Sequence, residues 1–271
     1  MNAFGEERET GALLASVRGA TGLDFGGYAP SGIRRRLAAL GGRDATSIAG
    51  LHARALADRA FMSELAGRLL VNVTALFRDP DLFLAYRAVA LPHLRPGTPL
   101  RAWHAGCATG EEVWSHAIVL REEGLASGFR AYGTDVSRSA LAVASAGLLP
   151  MDRMQEYTAA YRAAGGGGEF SSYYVAGPGG AAVHETLRAG VRFGRHDLLA
   201  DRPFGAFDVV FCRNVLMYFD PPHQERAHGV LAASVRPGGI LVLGRGEALS
   251  TSVRGEYEEL DGRNRIFVRR G

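Results

Sequence analysis

The 271-residue chain contains no lysine; all 31 residues in its Lys plus Arg count are arginine. Without a side-chain primary amine there is no Schiff-base nucleophile, and a lysine grip on nucleotide phosphates is excluded. Cysteine is scarce. Cys107 and Cys212 stand far apart in sequence and make neither a disulfide framework nor a zinc site. The 8 histidines show no metal-ligand spacing, so no metal is expected and they read as solvated or packing residues. No apolar run is long enough to cross a bilayer, and the opening MNAFGEERET is too polar and acidic for a secretory leader. A reducing cytoplasm is the expected compartment. The net charge of +3 is too small to point to nucleic acid. What is present is an apolar fraction of 47%, which argues against disorder and suffices for a large core.

Helical spacing dominates the first 70 or so residues. Ile33, Leu37 and Leu40 recur on one face, with Ser31 as the expected N-cap and Gly41-Gly42 as the expected stop. Ile48, Leu51, Ala55 and Leu56 predict a further helix, and Phe61, Leu65 and Leu69 another. From about residue 98 strands alternate with helices, the pattern of a mostly parallel α/β sheet. The expected strands are Leu100 to Ala105, Phe129 to Gly133, Val191 to Gly194, Phe207 to Phe211 and Ile240 to Gly244, closed by a strand pair over Tyr257 to Arg269. Between about 150 and 190 the alternation breaks. Gly165 to Gly168 and Gly177 to Gly180 mark a flexible insertion or a small subdomain there. The expected domains are therefore 1–78, helical with a linker, and 79–271, the α/β part.

The first strand runs into Ala105-Gly106-Cys107-Ala108-Thr109-Gly110-Glu111-Glu112. A glycine turn between a strand and a helix lets backbone approach a ligand, and the helix start offers free N–H groups. The pattern is not GxGxxG, and its two glutamates would repel a pyrophosphate. The next strand ends at Asp135, spaced as nucleotide folds place a carboxylate on ribose hydroxyls. On these residues alone S-adenosylmethionine (SAM) and other nucleotides both stay open, as does a plain capping role for Asp135. Glu112 reads as an exposed first-turn carboxylate favouring the helix dipole.

Three longer segments narrow the choice. Asn72-Val73-Thr74-Ala75-Leu76-Phe77-Arg78-Asp79-Pro80, Gly106 to Ser115 and Phe211-Cys212-Arg213-Asn214-Val215-Leu216-Met217-Tyr218-Phe219 resemble, in order, the NVTxFFRDP, GCSTGEEPYS and FCRNVLIYF segments of the chemotaxis receptor methyltransferases, the CheR family. The resemblance implies a class I, Rossmann-like methyltransferase fold with an N-terminal helical domain and a small inserted subdomain. It implies SAM as cofactor and S-adenosylhomocysteine as product. Carried across, the cofactor contacts fall on Asn72, Thr74, Arg78, Glu111, Asp135, Asp197, Leu198, Asn214 and Val215, beside Gly106 of the turn. Asn72, Thr74 and Arg78 are expected at helical offsets, closing the pocket from the linker side. The chain departs from the family at Asp197, at Val113-Trp114 and at Arg245-Gly246; the last two are expected on the acceptor side.

The implied reaction methylates glutamate side chains of chemoreceptors. A carboxylate is ionised at neutral pH and needs no general base, only alignment. Arg78, Tyr218 and Arg95 are the candidates to orient it. The expected partners are cytoplasmic helices of chemoreceptors, met by a monomer without nucleic acid or membrane insertion. Arg34-Arg35-Arg36 reads either as a solvated helix face or as a docking patch. A methyltransferase acting on a small molecule or another protein, and a non-catalytic SAM-binding sensor, remain as alternatives.

Overall fold

Apolar residues at intervals of three and four build the first helices of the computed structural model, which describes residues 3–43, 47–94 and 99–271. These helices are α1 (Ala3–Thr21), α2 (Pro30–Arg43), α3 (Ile48–Ala57) and α4 (Arg59–Leu69). They bury Leu13, Val17, Ile33, Leu37, Leu51, Phe61 and Leu65 against one another. Ser47 caps α3 by accepting the Gly50 N–H, and Asp58 caps α4 by accepting the Ala60 and Phe61 N–H groups. In α2 two expectations fail. The helix already starts at Pro30, so Ser31 lies in its first turn, and it runs through Gly41-Gly42 to Arg43. Proline is preorganised for a first helical position, and tertiary burial of Leu40 outweighs the glycine cost.

The chain divides into two compact units: Met1–Val71 with Tyr218–Gln224, and Asn72–Met217 with Glu225–Gly271. In the first unit the returning segment is held by a Tyr28–Phe219 bridge and by the Ala29 N–H donating to the Tyr218 carbonyl at 2.8 Å.

The second unit contains α5 (Pro80–Ala85), β1 (Arg101–Ala105), α6 (Glu111–Glu122), β2 (Arg130–Asp135), α7 (Arg138–Ala146) and β3 (Leu148–Leu149). It continues with α8 (Met154–Ala163), β4 (Tyr174–Gly177), β5 (Gly180–Val183), α9 (Glu185–Arg188), β6 (Val191–Arg195) and β7 (Phe207–Cys212). α10 (Pro221–Ser234), which belongs to this unit from Glu225 onward, β8 (Val235–Leu243), α11 (Thr251–Arg254), β9 (Tyr257–Asp261) and β10 (Ile266–Arg269) complete it. Among the described residues, a 7-stranded sheet has the order β6-β2-β1-β7-β8-β10-β9. Strands β6, β2, β1, β7 and β8 are parallel, and β10 and β9 add an antiparallel edge. β7 is buried at every position, as a strand covered on both faces must be.

Strand order reverses at β1: the chain goes from β1 to β2 on one side, and β7 lies on the other. Such a switch point opens a crevice at the strands' carboxyl ends. Register aligns those ends, with Ala105 beside Thr134, His104 beside Phe211 and Asp135 beside Arg195. The loops that carry Gly106, Asp135, Asp197 and Asn214 therefore leave the sheet at one edge.

The insertion is a small ordered subdomain, with a 3-stranded sheet β3-β5-β4. Two of its glycines, Gly166 and Gly168, are held in place. The Gly168 N–H donates to the Tyr161 hydroxyl at 3.0 Å, and a Cβ at Gly166 would overlap the Tyr161 ring. Tyr161 and Tyr173 both donate to Glu122 of α6, which also pairs with Arg87.

Candidate functional site

The turn after β1 is shaped by backbone that only small residues tolerate. Gly106 and Gly110 have φ of 71° and 91°, and Ala108 between them has 48°. A Cβ on Gly106 would overlap Val215, and one on Gly110 would meet the Ala144 Cβ at 2.9 Å. The Gly106 and Cys107 N–H groups donate to the Thr134 carbonyl at 2.8 and 2.9 Å, which fixes the turn against the end of β2.

Asp135 is 9% exposed. One carboxylate oxygen accepts the Ala108 N–H and the other the Ser137 N–H, both at 2.9 Å. Burial raises its carboxyl above the ordinary value of 3.8, while the backbone donors at Ser137, Ala108 and Val136 pull the other way. Asp135 thus braces the turn and Ser137, which itself caps α7 by accepting the Ala140 N–H. Each carboxylate oxygen retains a second lone pair for a diol.

The Asn72 amide donates to the Ser137 hydroxyl at 3.3 Å, bringing the segment before α5 to Asp135. This segment is not helical. Residues 71–75 are irregular, and Phe77 and Asp79 take left-handed φ of 51° and 58°. The expected helical offsets of Asn72, Thr74 and Arg78 are replaced by a chain folded back on itself. The exposed Arg78 guanidinium donates to the Val73 carbonyl at 3.2 Å, and the Thr74 carbonyl accepts from Arg153 at 3.4 Å.

Glu111 is 7% exposed and accepts the Thr109 hydroxyl at 2.6 Å. Asp197 accepts the Leu199 N–H at 2.9 Å, ahead of which Leu198 is buried. Asn214 sits at φ 58°, and Val215 packs over Gly106. Tyr218 belongs to the helical unit, where the Arg36 guanidinium lies 4.9 Å from its ring centroid and donates to the Leu69 carbonyl. Arg36 is accordingly a packed residue rather than part of a solvated face. Arg95 lies outside the described residues.

Two supports were not apparent from sequence. Glu247, 5% exposed, accepts the N–H groups of Asn214, Val215, Met217 and Gly244 at 3.0, 2.9, 3.3 and 2.7 Å. It thereby folds the loop after β7. The second is a buried chain beneath the turn. The Tyr86 hydroxyl meets His116 at 2.9 Å, His116 meets His104 at 3.1 Å, and His104 meets Glu112 at 3.1 Å. The Glu112 carboxylate then accepts Arg213 at 2.9 Å, and Arg213 also pairs with Asp79 and donates to the Arg78 carbonyl at 3.4 Å. Glu112 is therefore not an exposed carboxylate, its side chain being 15% exposed. Burial pushes it up, but the His104 hydrogen bond and the Arg213 charge outweigh this and leave it below its ordinary 4.5. Burial, with the neighbouring His104, holds His116 well below 6.5, so it stays neutral.

The departures from the family pattern also find their places. Val113 and Trp114 are core residues, 0% and 2% exposed, with Trp114 against Phe193. Arg245 pairs with Asp81 and Asp79 and donates to Asn264. Cys107 and Cys212 are buried, and desolvation raises both thiols, so they pack rather than react.

The donor set fits a nucleoside that carries an amino acid. A carboxylate braced on both oxygens suits a ribose diol, the glycine turn leaves room for close approach, and Glu111 can face an ammonium. Comparison with known proteins agrees. Residues 72–266 match the family description "CheR methyltransferase, SAM binding domain". The chain is 41% identical to the protein named Cher3 of Pseudomonas putida over 90% of both chains. It is 34% identical to "Chemotaxis protein methyltransferase 1" of Pseudomonas aeruginosa over 67% of this chain and 68% of that one. It is 31% identical to a 104.1 kDa protein of Rhodobacter capsulatus over 90% of this chain, but spans only 26% of that protein's length. With the switch-point crevice, the braced Asp135 and a match over most of its length, this chain belongs to the CheR family of SAM-dependent methyltransferases.

Proposed function

We propose that this methyltransferase acts on carboxylate side chains, namely glutamates on the cytoplasmic helices of chemoreceptors. The observation that carries this reading is Arg78: an exposed guanidinium in the segment that Asn72 ties to Ser137, beside Asp135. The chemotaxis methyltransferase of Pseudomonas aeruginosa, 34% identical, supports the same acceptor class. The altered positions Val113, Trp114 and Arg245 lie in the core and in an ion-pair cluster, so they do not favour a different acceptor.

When bound, SAM supplies an electrophilic methyl group on sulfur, which passes to an acceptor oxygen as the carbon–sulfur bond breaks and leaves a neutral thioether. The protein's part is to hold and align. Asp135 takes the ribose hydroxyls, and Glu111 faces the ammonium. Asp197 and Leu198 receive the adenine end, while Asn214 and Val215 form the floor opposite Gly106. Asn72 and Thr74 bound the pocket from the side of the preceding segment. A carboxylate acceptor arrives ionised, so no side chain has to remove a proton. Arg78 orients the acceptor through a limited contact. Its hydrogen bond to the Val73 carbonyl occupies one donor and leaves the charge in place without a bidentate clamp that would blunt the nucleophile.

The test is transfer of a tritiated methyl group from SAM to purified chemoreceptor cytoplasmic fragments. Base-labile label released as methanol is expected. Base-stable label, or no label from a protein that binds SAM, would overturn the glutamate assignment.

A further inference from the structure

Arg78 stands between two residues with left-handed backbone, Phe77 at φ 51° and Asp79 at φ 58°. Side chains rarely tolerate that conformation, and it persists only where the surroundings impose it. Here they impose it on both sides of Arg78.

On one side the Phe77 N–H donates to the Ser115 hydroxyl at 2.8 Å. Ser115 is fully buried in α6, and its own proton goes to the Glu111 carbonyl at 2.8 Å. On the other side Arg213 donates to the Arg78 carbonyl at 3.4 Å and pairs with Asp79. Arg213 is held in turn by Glu112 of α6 at 2.9 Å. Both ties therefore end on the first residues of the helix that leaves the cofactor turn. The buried ring of Phe77, against Phe83 and Tyr161, already anchors the segment in the core. The polar ties add something else, since they grip the main chain immediately before and after Arg78. The Arg78 guanidinium itself is exposed and donates to the Val73 carbonyl. Its backbone is fixed while its charged end faces outward.

We propose that Ser115 and Arg213 are positioning residues for methyl transfer: they hold the backbone on both sides of Arg78 to the start of α6, and so set the Arg78 guanidinium relative to the cofactor turn. Neither touches the acceptor; both act through Arg78. The proposal rests on the reading of Arg78 as the arginine that orients the acceptor. A small displacement of such a group is costly, because transfer depends on alignment.

The test is steady-state transfer of tritiated methyl groups from SAM to chemoreceptor cytoplasmic fragments by wild type, Ser115→Ala, Arg78→Ala and the double variant. Ser115→Ala should lower kcat about tenfold or more, while its SAM affinity by calorimetry stays within about threefold of wild type. In the Arg78→Ala background the same substitution should change kcat by less than about twofold, because the residue through which Ser115 acts is gone. Asp79→Asn loosens the tie on the other side, keeps a residue type that accepts left-handed backbone, and should show the same dependence on Arg78. It serves also if Ser115→Ala fails to fold. Unchanged kcat in Ser115→Ala and Asp79→Asn, with Arg78→Ala impaired, would overturn the positioning role and leave the reading of Arg78 standing. Equal losses in the presence and absence of Arg78, or a loss of SAM affinity as large as the loss of kcat, would show general support of the fold and overturn it as well. Full activity of Arg78→Ala, or no transfer by wild type, would overturn the reading of the acceptor site itself, and the positioning role with it.

Discussion

The backbone N–H of Asn214 donates to the Glu247 carboxylate at 3.0 Å, and that carboxylate also holds the N–H groups of Val215, Met217 and Gly244. One buried side chain thus fixes the left-handed Asn214 and the start of the loop after β7. Glu247→Gln turns an amide donor toward backbone donors. The expected cost is about 1–3 kcal/mol in urea unfolding, with weaker SAM binding because Asn214 is released. Unchanged stability would show that Glu247 does not organise this loop.

Gly106→Ala puts a methyl group into Val215 at a backbone φ of 71°. SAM binding should be lost or reduced by more than about 100-fold, roughly 3 kcal/mol. Val215→Ala in the same chain restores the space but not the backbone penalty of about 1–2 kcal/mol. Calorimetry should therefore show partial rescue in the double variant; no rescue would mean that the Gly106–Val215 contact does not shape the pocket.

Arg213 stands between two carboxylates, Glu112 and Asp79, with its own side chain 2% exposed. Arg213→Met leaves Glu112 with only its His104 hydrogen bond and Asp79 with only the 3.9 Å pair to Arg245, and should cost about 3–5 kcal/mol in urea unfolding. Glu112 provides a pH signature. Its folded value lies below the ordinary 4.5, so its contribution is complete above that value and is lost as pH falls through the lower folded one. Glu112→Gln should flatten the acid side of the stability curve measured by thermal melts at successive pH values.

Asp135 behaves in the opposite sense. Burial holds its folded carboxyl above the ordinary 3.8, so ionising it costs stability as pH rises from that value through the folded one. Ribose hydroxyls favour the ionised form. SAM affinity should therefore fall on acidification at a higher pH than an exposed aspartate would give. Titrations at descending pH should show this fall in wild type and its absence in Asp135→Asn.

Local features of this fold were legible in the sequence. β1 and β7 begin within a residue of expectation because short, mostly apolar segments alternate with helices, the pattern of a parallel sheet. Gly106 and Asp135 stood out because a left-handed turn and a ribose each demand a particular residue type. The chain Tyr86–His116–His104–Glu112–Arg213–Asp79 did not stand out. Only Glu112 and His116 share an element, α6; the other members come from separate parts of the chain, and pairing between them has no sequence period. Glu247 carries no such signal either, since nothing local shows that it returns to the Asn214 loop. The helical offsets of Asn72, Thr74 and Arg78 misled because spacing alone cannot distinguish a helix from a chain reversed at Phe77 and Asp79. Composition marks Gly165 to Gly168 as flexible, yet the Gly166 N–H donates to the Tyr161 carbonyl and the Gly168 N–H to the Tyr161 hydroxyl, both at 3.0 Å.

The central claim is that the turn after β1 and Asp135 together hold SAM. Calorimetric titration of SAM into wild type and Asp135→Ala at neutral pH tests it most directly. The account predicts single-site binding in wild type and a loss of about 100-fold or more in Asp135→Ala, because the diol loses its acceptor and the turn loses the brace on Ala108. Equal affinity in the two proteins would contradict it.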